Sequence, residues 1–197
     1  MTAPSVKGLA RFREGETRPR QSLWEPPSRF ADDTVLVFDQ SLSATGWVVL
    51  EGDQNVLTVL TAGSIRLRAA DFPGGHEGTL LKAMAVADQV DSVVDRLARV
   101  VSHVVHEEPP LAVGRMTRPE SSLLAALCVR LAAERARLRV STVQNQHSKK
   151  VLTGASREVT KKQWHAGLDR LTIVGRDKAT NEGERDALCL GVTYLAD

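Results

Sequence analysis

Four apolar residues, Val35-Leu36-Val37-Phe38, run without a break into Asp39, and the chain then turns through Gln40-Ser41-Leu42-Ser43-Ala44. The run is too short and too rich in β-branched side chains for a helix, so it predicts a buried strand. An acid at the end of such a strand would cost several kcal/mol if it stayed charged and unpaired. A bound cation, a basic partner or a solvent-filled cleft must compensate it, unless Asp39 is simply a solvated turn residue. Gly46-Trp47-Val48-Val49-Leu50 reads as a second strand ending at Glu51-Gly52-Asp53, and residues 55–66 read as a third. The connections are short, so these three strands are expected to pair antiparallel in sequence order.

The period then changes. Leu80, Leu81, Met84, Ala87, Val90, Val94, Leu97 and Val101 recur at helical spacing. Val104-Val105-His106-Glu107 predicts another short strand ending in acid, stopped by Pro109-Pro110. A helix over Leu123–Leu138, a strand over Arg139–Val143, two short helical stretches within 144–170 and an apolar helix entered through Asn181-Glu182-Gly183-Glu184-Arg185-Asp186 follow. Alternation of helix and strand after residue 79 implies an α/β fold with parallel strands. Residues 1–30 carry Arg11, Arg13, Arg18, Arg20 and Arg29 among prolines and show no period, which predicts a flexible basic arm before a single domain over 31–197. One Tyr and four Phe leave the packing to aliphatic side chains. Cys128 and Cys189 lie in apolar helical patterns and read as core residues. No apolar run suits a membrane span and no signal-peptide pattern opens the chain, so a soluble, cytoplasmic setting is expected.

Asp39 and Glu107 end strands, and Asp186 leads into a helix whose Ala187, Leu188, Leu190 and Val192 must lie against the sheet. All three acids should therefore face one cleft. Glu182 and Glu184 taken alone read as complements of the helix dipole. Converging carboxylates repel unless a hard cation neutralises them, and oxygen ligands fit Mg²⁺ or Mn²⁺. No Cys/His pair stands at zinc-ligand spacing. Two such ions roughly 4 Å apart would clamp the attacking and leaving oxygens of an in-line phosphoryl displacement. The basic residues of the chain's later part point to nucleic acid. Arg130, Arg135 and Arg137 suit solvated helix faces, whereas Lys149-Lys150 and Lys161-Lys162 flank a Gly/Ser/Thr turn and suit phosphate contacts.

In order and spacing, these motifs resemble the RuvC family of Holliday junction resolvases, within the RNase H-like superfamily. The resemblance covers most of 34–195 and rests on Val37-Phe38-Asp39-Gln40-Ser41 with Thr45-Gly46-Trp47, Val104-Val105-His106-Glu107, the helix Ser121–Ala133, Lys149, Gly154 and Lys161, and Asp186-Ala187-Leu188. It implies a five-stranded mixed sheet, its first three strands antiparallel, flanked by helices on both faces. It also implies a homodimer that nicks two symmetric strands of a four-way junction with two Mg²⁺ or Mn²⁺ per active site, and the look is of a phage-borne member. The catalytic and metal-binding residues would be Asp39, Glu107, Glu182 and Asp186, with Arg118 joining the lysines on DNA.

The chain departs from the family pattern in three places. Gly183 stands where the family has its fourth acid or a His, and Glu182 is assigned that role because it shares the face of Asp186, while Glu184 points about 200° away. Glu107 and Glu108 compete at the strand end, and alternation with Val105 favours Glu107. Pro110 replaces the aromatic that bacterial members carry beyond the Glu, which leaves a broader branched-DNA or flap nuclease open. A non-catalytic DNA-binding module and an actin-like ATPase relative are the rival classes, the latter needing a second nucleotide-binding half that 197 residues do not accommodate.

Overall fold

A computed structural model describes residues 27, 29–109, 119–155 and 158–197. Nearly all of the predicted basic arm, as well as Pro110 and Arg118, lies outside the described residues. Strands β1 (Phe30–Asp39), β2 (Ala44–Gln54) and β3 (Val56–Arg66) form an antiparallel meander. Helix α1 (Gly75–Leu97) crosses to β4 (His103–Glu107), which lies parallel to β1. Helix α2 (Pro119–Arg135) then leads to β5 (Arg139–Val143), parallel to β4. Two short helices, α3 (Asn145–Thr153) and α4 (Lys161–Gly167), precede the two-residue strand β6 (Ile173–Val174) and the closing helix α5 (Glu182–Ala196).

The sheet has six strands in the order β5-β4-β1-β2-β3-β6, one more than the five expected. The extra strand is β6, which pairs Ile173 and Val174 with Leu57 and Thr58 at the edge of β3. Two residues carry no readable period, and the turn that follows them packs on β3, where Lys178 Nζ donates to the Val59 (2.9 Å) and Leu60 (3.0 Å) carbonyls. Residues 98–101 and 136–138, read as helix ends from their apolar residues, lie beyond α1 and α2. Val101 is nonetheless buried, because the turn after α1 folds its side chain back onto the sheet.

Strand β1 is central, and Val35, Leu36, Val37 and Phe38 are all fully buried. Alternation sends Val35 and Val37 to one face, against α5, and Leu36 and Phe38 to the other, against α1 and α2. Each such side chain contributes about 1.5–3 kcal/mol by leaving water. Both free cysteines are buried as expected. A buried polar knot ties the three helices on the α5 face: Ser148 Oγ accepts from Trp164 Nε1 (3.2 Å) and Thr193 Oγ1 (2.7 Å) and donates to the Cys189 carbonyl (3.0 Å). Among the described residues, no helix is long and apolar enough to cross a membrane.

Candidate active site

Strand register brings the first two acids together. Phe38 pairs with His106 in the parallel β1–β4 ladder, so the next residues are Asp39 and Glu107. Both alternate with residues of the α5 face, Val37 and Val105. Gln40 then locks the two strand ends: its Nε2 donates to the Glu107 carbonyl (2.7 Å) and its Oε1 accepts from the Glu107 amide (3.1 Å). The β1–β2 turn is closed by Thr45 Oγ1, which donates to the Ser41 carbonyl at 2.7 Å.

Asp186 arrives from α5. A Cβ on Gly46 of β2 would lie 2.1 Å from the Gly183 carbonyl carbon, so the helix start rests on bare backbone. At Gly191 a Cβ would lie 2.8 Å from Val37 Cγ2, which keeps the rest of α5 close to β1. The glycine at 183 thus has a packing reason: a side chain there would press on Gly46. Asp39, Glu107 and Asp186 line one cavity of about 660 Å³, with Glu182, Lys161 and Asn145.

Helix α4 supplies the groups that hold Asp186. A capping box between Thr160 and Gln163 starts the helix, and fully buried Trp164 anchors it. Lys161 and His165 are one turn apart on it. Lys161 Nζ lies 2.7 Å from Asp186 Oδ2 and 2.6 Å from Glu182 Oε1, and His165 Nε2 lies 2.5 Å from Asp186 Oδ1. The Asp186 side chain is only 4% exposed, so both of its oxygens need these partners. Lys161 and Glu182 are more than half exposed, and their pairing adds at most about 1 kcal/mol.

Burial first, then the charges of Asp186 and Glu107, push the Asp39 carboxyl up to about 8, with Lys161 opposing. At a pH below that value Asp39 keeps a proton, which it can share with the neighbouring Glu107 carboxylate. Burial likewise raises Glu107, against hydrogen bonds from Asn145 and Asp39 that favour its charged form. Burial works against the charge of Lys161, but its bonds to Asp186 and Glu182 hold the ammonium above its ordinary range. The carboxylates have been gathered closer than their charges allow, and the Lys161 ammonium stands where a cation is needed.

Of the residues read from sequence, Asp39, Glu107, Glu182, Asp186 and Lys161 come together here. Glu184 does not: buried, it caps α5, accepting from the Thr180 amide (2.7 Å) and the Asn181 amide (3.2 Å). Glu108 turns away as its amide donates to the Val143 carbonyl (2.9 Å). Lys161, expected on phosphate, is engaged by carboxylates. Lys149 lies 5.9 Å from the Trp164 ring, and Lys150 and Lys162 are exposed. Sequence reading missed His165, Asn145 and the structural role of Gln40. The spacing of Lys161 and His165 on one helix face was the available signal, but nothing local tied that face to Asp186.

The donor set is hard oxygen throughout, which fits Mg²⁺ or Mn²⁺. As the side chains stand, no three His, Cys, Asp or Glu among the described residues are grouped to hold an ion. Lys161 and His165 occupy Asp186, and burial beside Glu107 and Asp186 favours the protonated form of Asp39. Ligation by these residues therefore requires Lys161 to release Asp186 and Asp39 to lose its proton.

A central antiparallel meander extended by parallel β4 and β5, with helices on both faces, is the RNase H-like fold. The same arrangement is found in solved structures of RuvC resolvases. RuvC of Thermus thermophilus in complex with a Holliday junction substrate superposes with a TM-score of 0.64 at 17% identity, covering 82% of this chain and 92% of that one. A second structure of Thermus thermophilus RuvC gives 0.59 at 18% identity, covering 81% and 92%. The yeast mitochondrial Holliday junction resolvase Ydc2 gives 0.57 at 11% identity, covering 85% and 80%. No protein-family model and no curated protein matches the sequence.

Proposed function

We propose that this protein is a metal-dependent endonuclease that resolves four-way DNA junctions by paired, symmetric nicks. The observation that carries this reading is the convergence of Asp39, Glu107 and Asp186 on one open cavity at the end of a RuvC-type sheet. These three, with Glu182 at the rim, would hold Mg²⁺ or Mn²⁺. Two such ions, when bound, supply an activated water and stabilise the departing 3′ oxygen of a phosphodiester. The protein's own part is to hold the carboxylates against their mutual repulsion. Gln40 fixes the Glu107 backbone, His165 fixes Asp186, and Lys161 neutralises Asp186 and Glu182 until a cation takes its place. With a cation on those carboxylates, the Lys161 ammonium would be free to meet a DNA phosphate. Lys149, Lys150 and Lys162 follow the DNA backbone.

Symmetric nicking requires two copies of the site. Leu123, Leu127 and Leu131 are 55%, 49% and 41% exposed at four-residue spacing on one face of α2. Neighbouring α1 exposes Leu80, Leu81 and Met84. Such a surface supports a homodimer packed through these helices. The test is cleavage of a labelled synthetic four-way junction beside flap, fork and linear duplex, in Mg²⁺ and Mn²⁺, with Asp39→Asn as control. Paired nicks in the junction alone, lost in the variant, are expected. Nicking of every branched form would replace the resolvase reading with a structure-tolerant nuclease. Binding without cleavage would leave a DNA-binding module.

A further inference from the structure

The register of β4 and β5 pairs Glu107 with Val143, and Asn145 opens α3 two residues later. Its side chain lines the same cavity beside the Glu107 carboxylate, whose charged form it favours. A carboxylate accepts only, so the Asn145 amide must present its NH₂ to Glu107. Turning the amide over would set its oxygen against the carboxylate. The orientation is thereby decided by chemistry, and it leaves Asn145 Oδ1 buried with no hydrogen-bond partner. Helix capping does not account for the residue, since the N-cap of α3 is Gln144 and no side-chain cap bond forms there.

A buried amide oxygen without a partner has to be met by a donor hydrogen or by a cation, and this one stands among carboxylates that themselves call for a cation. We infer that Asn145 is a further ligand of the divalent cation, its amide oxygen binding alongside the Glu107 carboxylate. The inference rests on the metal-dependent reading above and adds to it a neutral donor. Neutrality matters in this cavity. A fourth charged ligand at this spot would add to the repulsion among Asp39, Glu107 and Asp186, whereas an amide oxygen completes the coordination of a hard cation at no cost in charge. One side chain then both steadies Glu107 through its NH₂ and binds through its oxygen.

The experiment measures Mn²⁺ affinity of the full chain without DNA, by electron paramagnetic resonance of free Mn²⁺, for wild type, Asn145→Ala and Asn145→Asp. Circular dichroism melts in EDTA establish that each variant folds. Asn145→Ala is expected to bind about tenfold more weakly. Asn145→Asp, which keeps an oxygen donor, is expected to bind at least as tightly as wild type. If Asp weakens binding as much as Ala does, Asn145 only steadies Glu107 and the ligand role is refuted. Equal affinity in all three refutes it as well. Absence of Mn²⁺ binding by folded wild type would overturn the metal-dependent reading itself, and the ligand role with it.

Discussion

Replacing Asp39 by Asn should stabilise the metal-free protein while abolishing its proposed activity. The Asp39 carboxyl is raised from 3.8 to about 8 by burial and by the charges of Asp186 and Glu107. Between those values the folded state keeps a proton that the unfolded chain has lost. Stability is therefore full below about pH 4, falls as pH rises, and levels off above pH 8. The slope is at most about 1.4 kcal/mol per pH unit. At pH 7 the shift corresponds to about 4 kcal/mol, and solvent reaching the half-buried carboxyl reduces this to about 2 kcal/mol. Glu107, also raised by burial, adds to the same trend. Asn is neutral, keeps an NH₂ to donate to Glu107, and carries none of this cost. In EDTA at pH 7 the variant should melt about 4–8 °C above wild type, a gap that closes near pH 4 and widens toward pH 8. Mg²⁺ should raise wild-type Tm and leave the variant nearly unmoved. Melting curves by circular dichroism from pH 4 to 9, with and without Mg²⁺, test all of this. A gap that does not change with pH would refute the like-charge account of the site.

Gly46→Ala places a Cβ against the Gly183 backbone and should cost about 3 kcal/mol, read as a lower urea midpoint; a neutral result would mean α5 is not seated on β2 as described. His165→Ala leaves Asp186 to Lys161 alone and should slow nicking about 10–100-fold while junction binding in Ca²⁺ is unchanged. Undiminished nicking would remove His165 from the site. Lys149, Lys150 and Lys162 changed together to Ala should reduce the slope of log affinity against log salt by about 0.9 per lost phosphate contact, for every DNA shape alike. An unchanged slope would place the DNA elsewhere. Leu127→Glu with Leu131→Glu should turn dimer into monomer in sedimentation velocity; a persistent dimer would exclude the α2 face.

Much of this fold was legible because it rests on local pattern. The apolar run before Asp39, the alternation that gives Glu107 rather than Glu108 to the α5 face, and the helical period after Leu80 are written in consecutive residues. Such signals survive because strand alternation and helix period are short-range geometry. The convergence of Asp39, Glu107 and Asp186 could also be expected, since each ends or begins an element that must bury its apolar side. What lay beyond reach were the particular side-chain and backbone contacts between distant segments. The sixth strand exists because a two-residue segment is delivered to the edge of β3. Gly183 is a packing glycine only because Gly46 lies beneath it, and His165 meets Asp186 only because Trp164 and Ser148 pin α4 to α5. The types of acid and their place in each element were thus determined along the chain, whereas their partners, and which lysine pairs with carboxylate, were decided by packing across it.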